Sequence, residues 1–345
     1  MLDVKAKRPP PPTPTVFVGE ALKGLRLTGS AIPGLDYIKA PNLTVLKLQD
    51  SSRLVLSVVK LFDFFDASPY LKDILIHSFL VHAFPPPDRK VTLSHAQRIT
   101  LFTDHAPRVA SHLVCPSIMD TRLSDLLPND PDASVFPPEL QWLLRQYSIE
   151  VINNILIHVL DRDEQQSCSL QFRGPSGTLF QITRKTTYNP DPPPLISDDM
   201  WPFAILFNRV ASALLSLPLG QVVVFTAVMQ EESSFAVDPK PIRRKLAEVF
   251  EKCLDLQEVV LELYRPGYFP DISGERMPPI QAIVIKHSRD ISWGELVENV
   301  TEAARVRHSG GAPLERIEIF TTEEHPRIEE LESLVREVEY RVGDL

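Results

Sequence analysis

A short pattern, apolar-x-x-apolar-x-apolar, recurs nine times along this chain and constrains its fold more than any other feature. It begins at Leu22, Leu43, Leu71, Ala96, Ile152, Leu219, Leu256, Ile280 and Leu314, as in Leu43-Thr-Val-Leu46-Lys-Leu48. The last two apolar positions fall on one side of a short strand, and the first anchors the turn leading into it. One such unit cannot bury its apolar side alone, so neighbours must stack into a solenoid.

The starts are 21, 28, 25, 56, 67, 37, 24 and 34 residues apart, against about 20–29 for regular leucine-rich repeats. The gap of 56 leaves room for a degenerate repeat near Ile118–Leu123. The gap of 67 holds an insertion: Ser169-Leu-Gln-Phe-Arg and Thr178-Leu-Phe-Gln-Ile-Thr flank Gly174-Pro-Ser-Gly177 and read as a hairpin, followed by the loop Asn189-Pro-Asp-Pro-Pro-Pro. Between the strand patterns lie helical ones. Residues 53–66 place Leu54, Val58, Leu61, Phe62 and Phe65 on one face. Asp238 is a candidate cap for a helix through Ile242, Leu246, Val249, Phe250 and Cys253. Ser292-Trp-Gly-Glu295 and Thr321-Thr-Glu-Glu324 are capping boxes, and Gly310-Gly311 is a stop. Alternating strands and helices predict parallel strands. The expected fold is α/β: an irregular leucine-rich-repeat solenoid over residues 15–345, with a parallel concave sheet, helices on the convex side and a 165–195 hairpin/loop insertion. Residues 1–14, with Pro9–Pro12 and Pro14, read as a disordered proline-rich arm.

Bulk properties narrow the function classes. The net charge of −9 disfavours a nucleic-acid binder. Charge is uneven: residues 1–26 carry five basic and two acidic side chains, residues 318–345 three basic and nine acidic. Three scattered cysteines, Cys115, Cys168 and Cys253, do not form a disulfide framework and suit a reducing compartment. No stretch approaches the roughly 20 apolar residues of a membrane span, and the first residues lack a secretory apolar segment. A monomer in the cytoplasm or nucleus is the expectation.

Three passages carry a family likeness: Ser68-Pro-Tyr-Leu-Lys-Asp-Ile-Leu-Ile, Leu93-Ser-His-Ala-Gln-Arg-Ile-Thr-Leu, and Gly311-Ala-Pro-Leu-Glu-Arg-Ile-Glu-Ile with the later Glu337-Val-Glu-Tyr-Arg. From Pro41 onward the chain resembles the leucine-rich-repeat region of the F-box-like families of mushroom-forming fungi. The resemblance implies target recognition for a cullin-type ubiquitin ligase, where an F-box ahead of the repeats docks the adaptor and the repeats recruit a substrate. The stretch before Leu22 is too short and too rich in proline for that three-helix module, so no direct adaptor binding is expected. Phe136-Pro-Pro-Glu-Leu-Gln-Trp-Leu-Leu looks like an F-box opening but falls inside the array, where a solenoid helix explains it better.

Residue patterns for chemistry are sparse. There is no P-loop, no nucleophile elbow, no H-E-x-x-H and no Cys/His quartet. His77 and His82 fall at a strand end and in a loop, and Glu323, Glu324, Glu329, Glu330 and Glu332 read as a solvated face. No catalytic residue, cofactor or metal is predicted. Strand geometry instead points to side chains flanking the inward apolar pairs. The central column reads Arg26, Lys47, Leu75, Thr100, Leu156, Val223, Val260, Val284 and Glu318, with Phe102, His158 and Phe225 beside it. This basic-apolar-acidic column is the candidate partner-binding face of a non-enzymatic protein-interaction module. The alternatives are a structural scaffold, with β-branched residues there only because they suit strands, or an enzyme using a cleft at the 165–195 insertion.

Overall fold

The computed structural model describes residues 2–5, 17–28, 35, 38–49, 55–77, 79–81, 84–103, 106–126, 140–147, 149, 151–162, 165–187, 202–231, 239–263, 266–274, 276–287, 293–321 and 328–342. In chain order the first elements are β1 (Leu2–Lys5), β2 (Phe17–Val18), β3 (Gly24–Thr28), β4 (Ile38–Lys39), β5 (Val45–Gln49), β6 (Val55–Ser57), α1 (Val58–Asp66), β7 (Asp73–His77) and β8 (Phe79–Val81). There follow β9 (Val91–Thr92), β10 (Arg98–Phe102), α2 (Ala106–Ser111), β11 (Leu113–Val114), β12 (Asp120–Leu126), α3 (Leu140–Gln146), β13 (Asn154–Arg162), β14 (Gln165–Arg173) and β15 (Leu179–Thr187). The last are α4 (Pro202–Leu215), β16 (Val224–Glu231), α5 (Lys240–Lys252), β17 (Glu258–Leu263), β18 (Ala282–His287), α6 (Trp293–Ser309), β19 (Arg316–Thr321), α7 (Ile328–Leu334) and β20 (Glu337–Val342).

The chain divides into two compact units interleaved in sequence: Met1–Pro128, Glu139–Glu150 and Ser176–Arg184 form the first, and Asn129–Pro138, Val151–Pro175 and Lys185–Leu345 the second. In the first, the sheet order is β1-β3-β5-β7-β10-β12-β15; in the second it is β14-β13-β16-β17-β18-β19-β20. Among the described pairings only β13 with β14 is antiparallel. The fold is therefore α/β with mostly parallel sheet. In the first unit the short strands β2 and β4, β6 and β8, and β9 and β11 also pair in parallel.

One backbone device recurs ahead of several of the strands. The N–H of the turn anchor bonds the carbonyl three residues back: Leu43 to Ala40, Leu71 to Ser68, Ala96 to Leu93, Ile118 to Cys115, Val222 to Leu219 and Leu256 to Cys253. The carbonyl just before the strand then accepts two N–H groups from the next repeat, as Lys23 does from Thr44 at 2.8 Å and Val45 at 3.0 Å. Asn153 does the same for Val223 and Val224, and Gln257 for Gln281 and Ala282. These bonds satisfy turn carbonyls that would otherwise be orphaned and lock the register of successive strands.

The register sorts side chains into a core ladder and an open face. In the first unit Leu25, Leu46, Ile74, Ile99 and Thr121 occupy paired positions and are all buried, as are Leu27, Leu48, Ile76, Leu101 and Leu123. In the second, Ile155, Phe225, Val259, Ile283 and Ile317 form one buried row, and Ile157, Ala227, Leu261, Ile285 and Ile319 the next. Helices complete the cores. From α1 come Leu61, Phe62 and Phe65, from α5 Ile242, Leu246 and Phe250, and from α6 Leu296, Val297 and Val300. Phe225 meets Phe250 edge-on at 5.1 Å between ring centres.

Several sequence expectations are revised. Leu2–Lys5, read as part of the arm, is a strand paired with β3, while residues 6–16 lie outside the described residues. The helix expected over 53–66 begins at Val58, because Val55–Ser57 pairs with β8 instead. β14 and β15 form where the hairpin is predicted, and β14 also pairs with β13, over nine residue pairs. The 165–187 part of the insertion is thus sheet. β15 follows β12 in the first unit, where the Leu179 N–H donates to the Met119 carbonyl at 2.8 Å. Asp238, Ser292 and residues 322–324 of the predicted caps lie outside the described residues, and Thr321, read as a helix cap, ends β19; α5 opens on Pro239 with no side-chain cap bond. The glycine stop of α6 forms as expected. Ala312 N–H bonds the Arg307 carbonyl at 3.0 Å and Gly311 N–H that of His308 at 3.2 Å. Gly311 has φ of 76°, so this is a Schellman ending that a side chain would strain.

Candidate functional site

The open face of each unit is built from residues alternating with the core ladder. In the first unit the middle row is Arg26, Lys47, Leu75, Thr100 and Arg122, flanked by Thr28, Gln49, His77, Phe102 and Ser124. Arg26, Lys47 and Leu75 are half-buried, Thr100 is nearly covered at 9% exposure, and Phe102 stands out at 41%. The His77 ring meets Phe102 edge-on, 5.6 Å between centres. Arg98 lies between Asp73 at 4.0 Å and Asp120 at 3.9 Å, and Arg122 grips Asp120 with two bonds of 3.1 Å.

In the second unit the middle row is Gln171, Leu156, Thr226, Val260, Val284, Glu318 and Glu339, and the next is Ser169, His158, Val228, Glu262, Lys286, Phe320 and Arg341. Leu156, His158, Val260 and Glu318 are half-buried, whereas Val284 is covered to 7% exposure. Ion pairs here join Arg316 to Glu318 at 3.2 Å and Arg341 to Glu339 at 2.7 Å, and Gln230 Nε2 donates a hydrogen bond to Glu262 at 2.9 Å. Lys286 and Arg341 lie 5.9 and 5.4 Å from the Phe320 ring centre, within cation–π reach.

One repeat differs from its sequence reading. The motif placed at Leu219, Val222 and Val224 sits three residues later, at Val222, Phe225 and Ala227. An odd slip exchanges the two faces of a strand. Phe225 is therefore a core residue at 0% exposure and not a partner-facing one. Val223 precedes β16, where its carbonyl receives Gln257 and Glu258. The open-face residues are Val224, Thr226 and Val228, all half-buried. Arg122 and Glu339 also join the face, from repeats anchored at Ile118 and Val335. The first has Thr121 where the pattern asks for an apolar residue, so it reads only as a degenerate match.

Elsewhere the polar groups serve packing. Arg307 of α6 is 6% exposed and donates to the carbonyls of Ile272, Pro278 and Ile280 at 3.3, 3.4 and 3.2 Å, pinning the Pro278–Pro279 segment. Desolvation lowers its pKa. Tyr147 donates to Ala110 O at 3.0 Å beside Phe180, and burial raises its pKa. The Leu140, Leu143 and Leu144 side chains of α3 are likewise buried, so the F-box-like passage contributes a packed helix. A cleft of about 310 Å³ lies between α5 and residues 271–277. There Lys240, Arg243 and Arg244 face Asp271, whose carboxyl is held down by the Ser273 hydroxyl and N–H and by Arg243. Among the described residues no group of three His, Cys, Asp or Glu is placed to hold a metal, and no helix is long and apolar enough to cross a membrane.

The open faces present polar and apolar side chains on strands about 4.8 Å apart. Neither a family model, nor a curated protein, nor a solved structure matches the chain.

Proposed function

We propose that the chain is a leucine-rich-repeat solenoid acting as a non-enzymatic protein-interaction module, with target recognition of the F-box-associated kind as its role. The observation that carries this reading is the composition of the open faces. Leu75, Phe102, Leu156, Val228 and Val260 are solvent-accessible on strands whose opposite sides are fully buried. A sheet face kept only for solubility favours charged and polar side chains at such positions. Apolar and aromatic side chains flanked by charge are what a protein partner uses as anchors and rim.

The repeat device supports the solenoid part, since identical turn bonds recur at Leu43, Leu71, Ala96, Ile118, Val222 and Leu256. On this reading residues 1–345 do not bind the cullin adaptor by themselves; α3, the nearest look-alike of a docking helix, already has Leu140, Leu143 and Leu144 buried.

Affinity capture followed by mass spectrometry tests the role, with Leu156→Arg as the face variant and the surface change Arg244→Ala as control. A partner recovered by the parent and control but lost from Leu156→Arg supports it. An unchanged set of partners, or stoichiometric capture of purified adaptor, contradicts it.

A further inference from the structure

We infer that the cleft between α5 and residues 271–277 of the second unit binds a small phosphate monoester, its phosphate on Arg243 and Lys240 and its organic part over Ala247 and Met277. The site is separate from the open face and does not rest on the recognition role.

One face of α5 forms the first wall. Lys240, Arg243, Ala247 and Glu251 line the cleft at three- and four-residue spacing and so share that face. The adjoining Ile242, Leu246 and Phe250 are buried and fix the helix on the core. Ala247, small and in the middle of the row, leaves room in a cavity of about 310 Å³. The second wall is held from behind. Arg307 donates to the carbonyls of Ile272, Pro278 and Ile280, and the Met277 N–H closes a turn on the Gly274 carbonyl at 3.0 Å. Two fixed walls make a preorganised site, which loses little freedom when a ligand enters.

Arg243 is the group that asks for a ligand. Its side chain is half-buried, and among the described residues the guanidinium has neither a hydrogen bond nor an ion pair. The carboxylates nearby are engaged or distant. Glu248 holds Arg244 at 3.2 Å and also pairs with Lys245. Asp271 accepts from the Ser273 hydroxyl and from the Ser273 N–H at 3.1 Å; Arg243 attracts it without closing an ion pair. Glu251 stands eight residues beyond Arg243, about 12 Å along the helix axis. Glu295 lies near Gly267 and does not line the cleft.

The donors select the ligand. A guanidinium fork grips two oxygens of an oxyanion, and Lys240, one turn earlier on the same face, presents a further cation. A carboxylate has only two oxygens to share between them. A phosphate monoester has three and, with a second pKa of about 6, carries close to two charges at about pH 8. The uncapped start of α5 places the positive end of the helix dipole at this end of the cleft. Ala247 and Met277 leave an apolar stretch for the carbon skeleton.

Isothermal titration calorimetry at about pH 8 with phenyl phosphate, benzoate and inorganic phosphate tests this. Phenyl phosphate is expected to bind at least about ten-fold tighter than benzoate, and more tightly than inorganic phosphate. Arg243→Gln should lose about ten-fold or more. Ala247→Leu, which fills the cleft and removes no charge, should weaken binding as well. Asp271→Asn keeps an acceptor for Ser273, removes a repelling charge and should tighten it. Lys286→Gln, on the open face, should change nothing. Unfolding transitions of each variant establish that the fold is kept. No saturable binding of phenyl phosphate, equal binding of benzoate or of inorganic phosphate, or insensitivity to Arg243→Gln or Ala247→Leu overturns the inference.

Discussion

The Arg316 guanidinium meets the Glu258 carboxylate at 3.6 Å across an intervening strand, directly over Ala282. Their strands are not neighbours; the small alanine between them leaves the gap that a long arginine spans. Arg316 also holds Glu318 at 3.2 Å, so one cation serves two carboxylates. Both ends of the longer pair are more than a third exposed, so a double-mutant cycle on Glu258→Ala and Arg316→Ala should give a coupling below about 1 kcal/mol, shrinking with salt. A coupling well above that, or one that survives high salt, would show the pair to be shielded from solvent.

Thr121 sits in the core ladder at 0% exposure, and its hydroxyl has no hydrogen-bond partner among the described residues. Its ladder neighbour Ile99 is fully apolar. Thr121→Val replaces an unsatisfied hydroxyl by a methyl of similar volume and should stabilise the first unit by about 1 kcal/mol in urea unfolding, with an unchanged slope. A loss of stability would mean that the hydroxyl is satisfied.

Burial pushes the thiols of Cys115 and Cys253 up to about 12. Their folded values exceed the unfolded one of about 8.5. The stabilisation is thus complete below that pH and is lost as pH climbs towards the folded value, because only the unfolded chain releases the proton. At about pH 10.5 each thiol should have cost the fold about 2 kcal/mol relative to pH 8. Urea unfolding of the parent against Cys115→Ala/Cys253→Ala checks it: the double variant should lose less stability across that interval. Equal losses would place the thiols in contact with water.

Much of this organisation is legible in the sequence, and the exceptions have physical causes. Eight of the nine motif positions stand in their expected register; in four of them a polar residue separates the apolar pair and marks the faces, as Lys47 does between Leu46 and Leu48. The ninth lies in Leu219-Gln-Val-Val-Val-Val-Phe, where apolar residues fill both faces and the pattern matches at two registers. The turn bond from Val222 to Leu219 settles which one forms. Cys115, Ser68 and Ala40 share the position three before the anchor and are all buried, a signal present in Cys115-Pro-Ser-Ile118 that the apolar pattern alone misses. Val55–Ser57 merges into the helical spacing that follows because a short apolar run has no period of its own. The candidate face was legible as alternation; the ion pairs on it were not, since partners such as Glu258 and Arg316 are far apart in the chain.

Val228 and Met229 are sequence neighbours on opposite faces of β16, the first half-buried on the open face and the second in the core at 0% exposure. The most direct measurement of the central claim is thermal unfolding and partner capture on Val228→Arg and Met229→Arg side by side. The account predicts that Val228→Arg melts within a few degrees of the parent yet loses the captured protein partner. Met229→Arg, with a charge forced into the apolar ladder, should lose about 3 kcal/mol or more. If Val228→Arg unfolds as readily as Met229→Arg, or folds normally and keeps the partner, the open face is not the recognition surface.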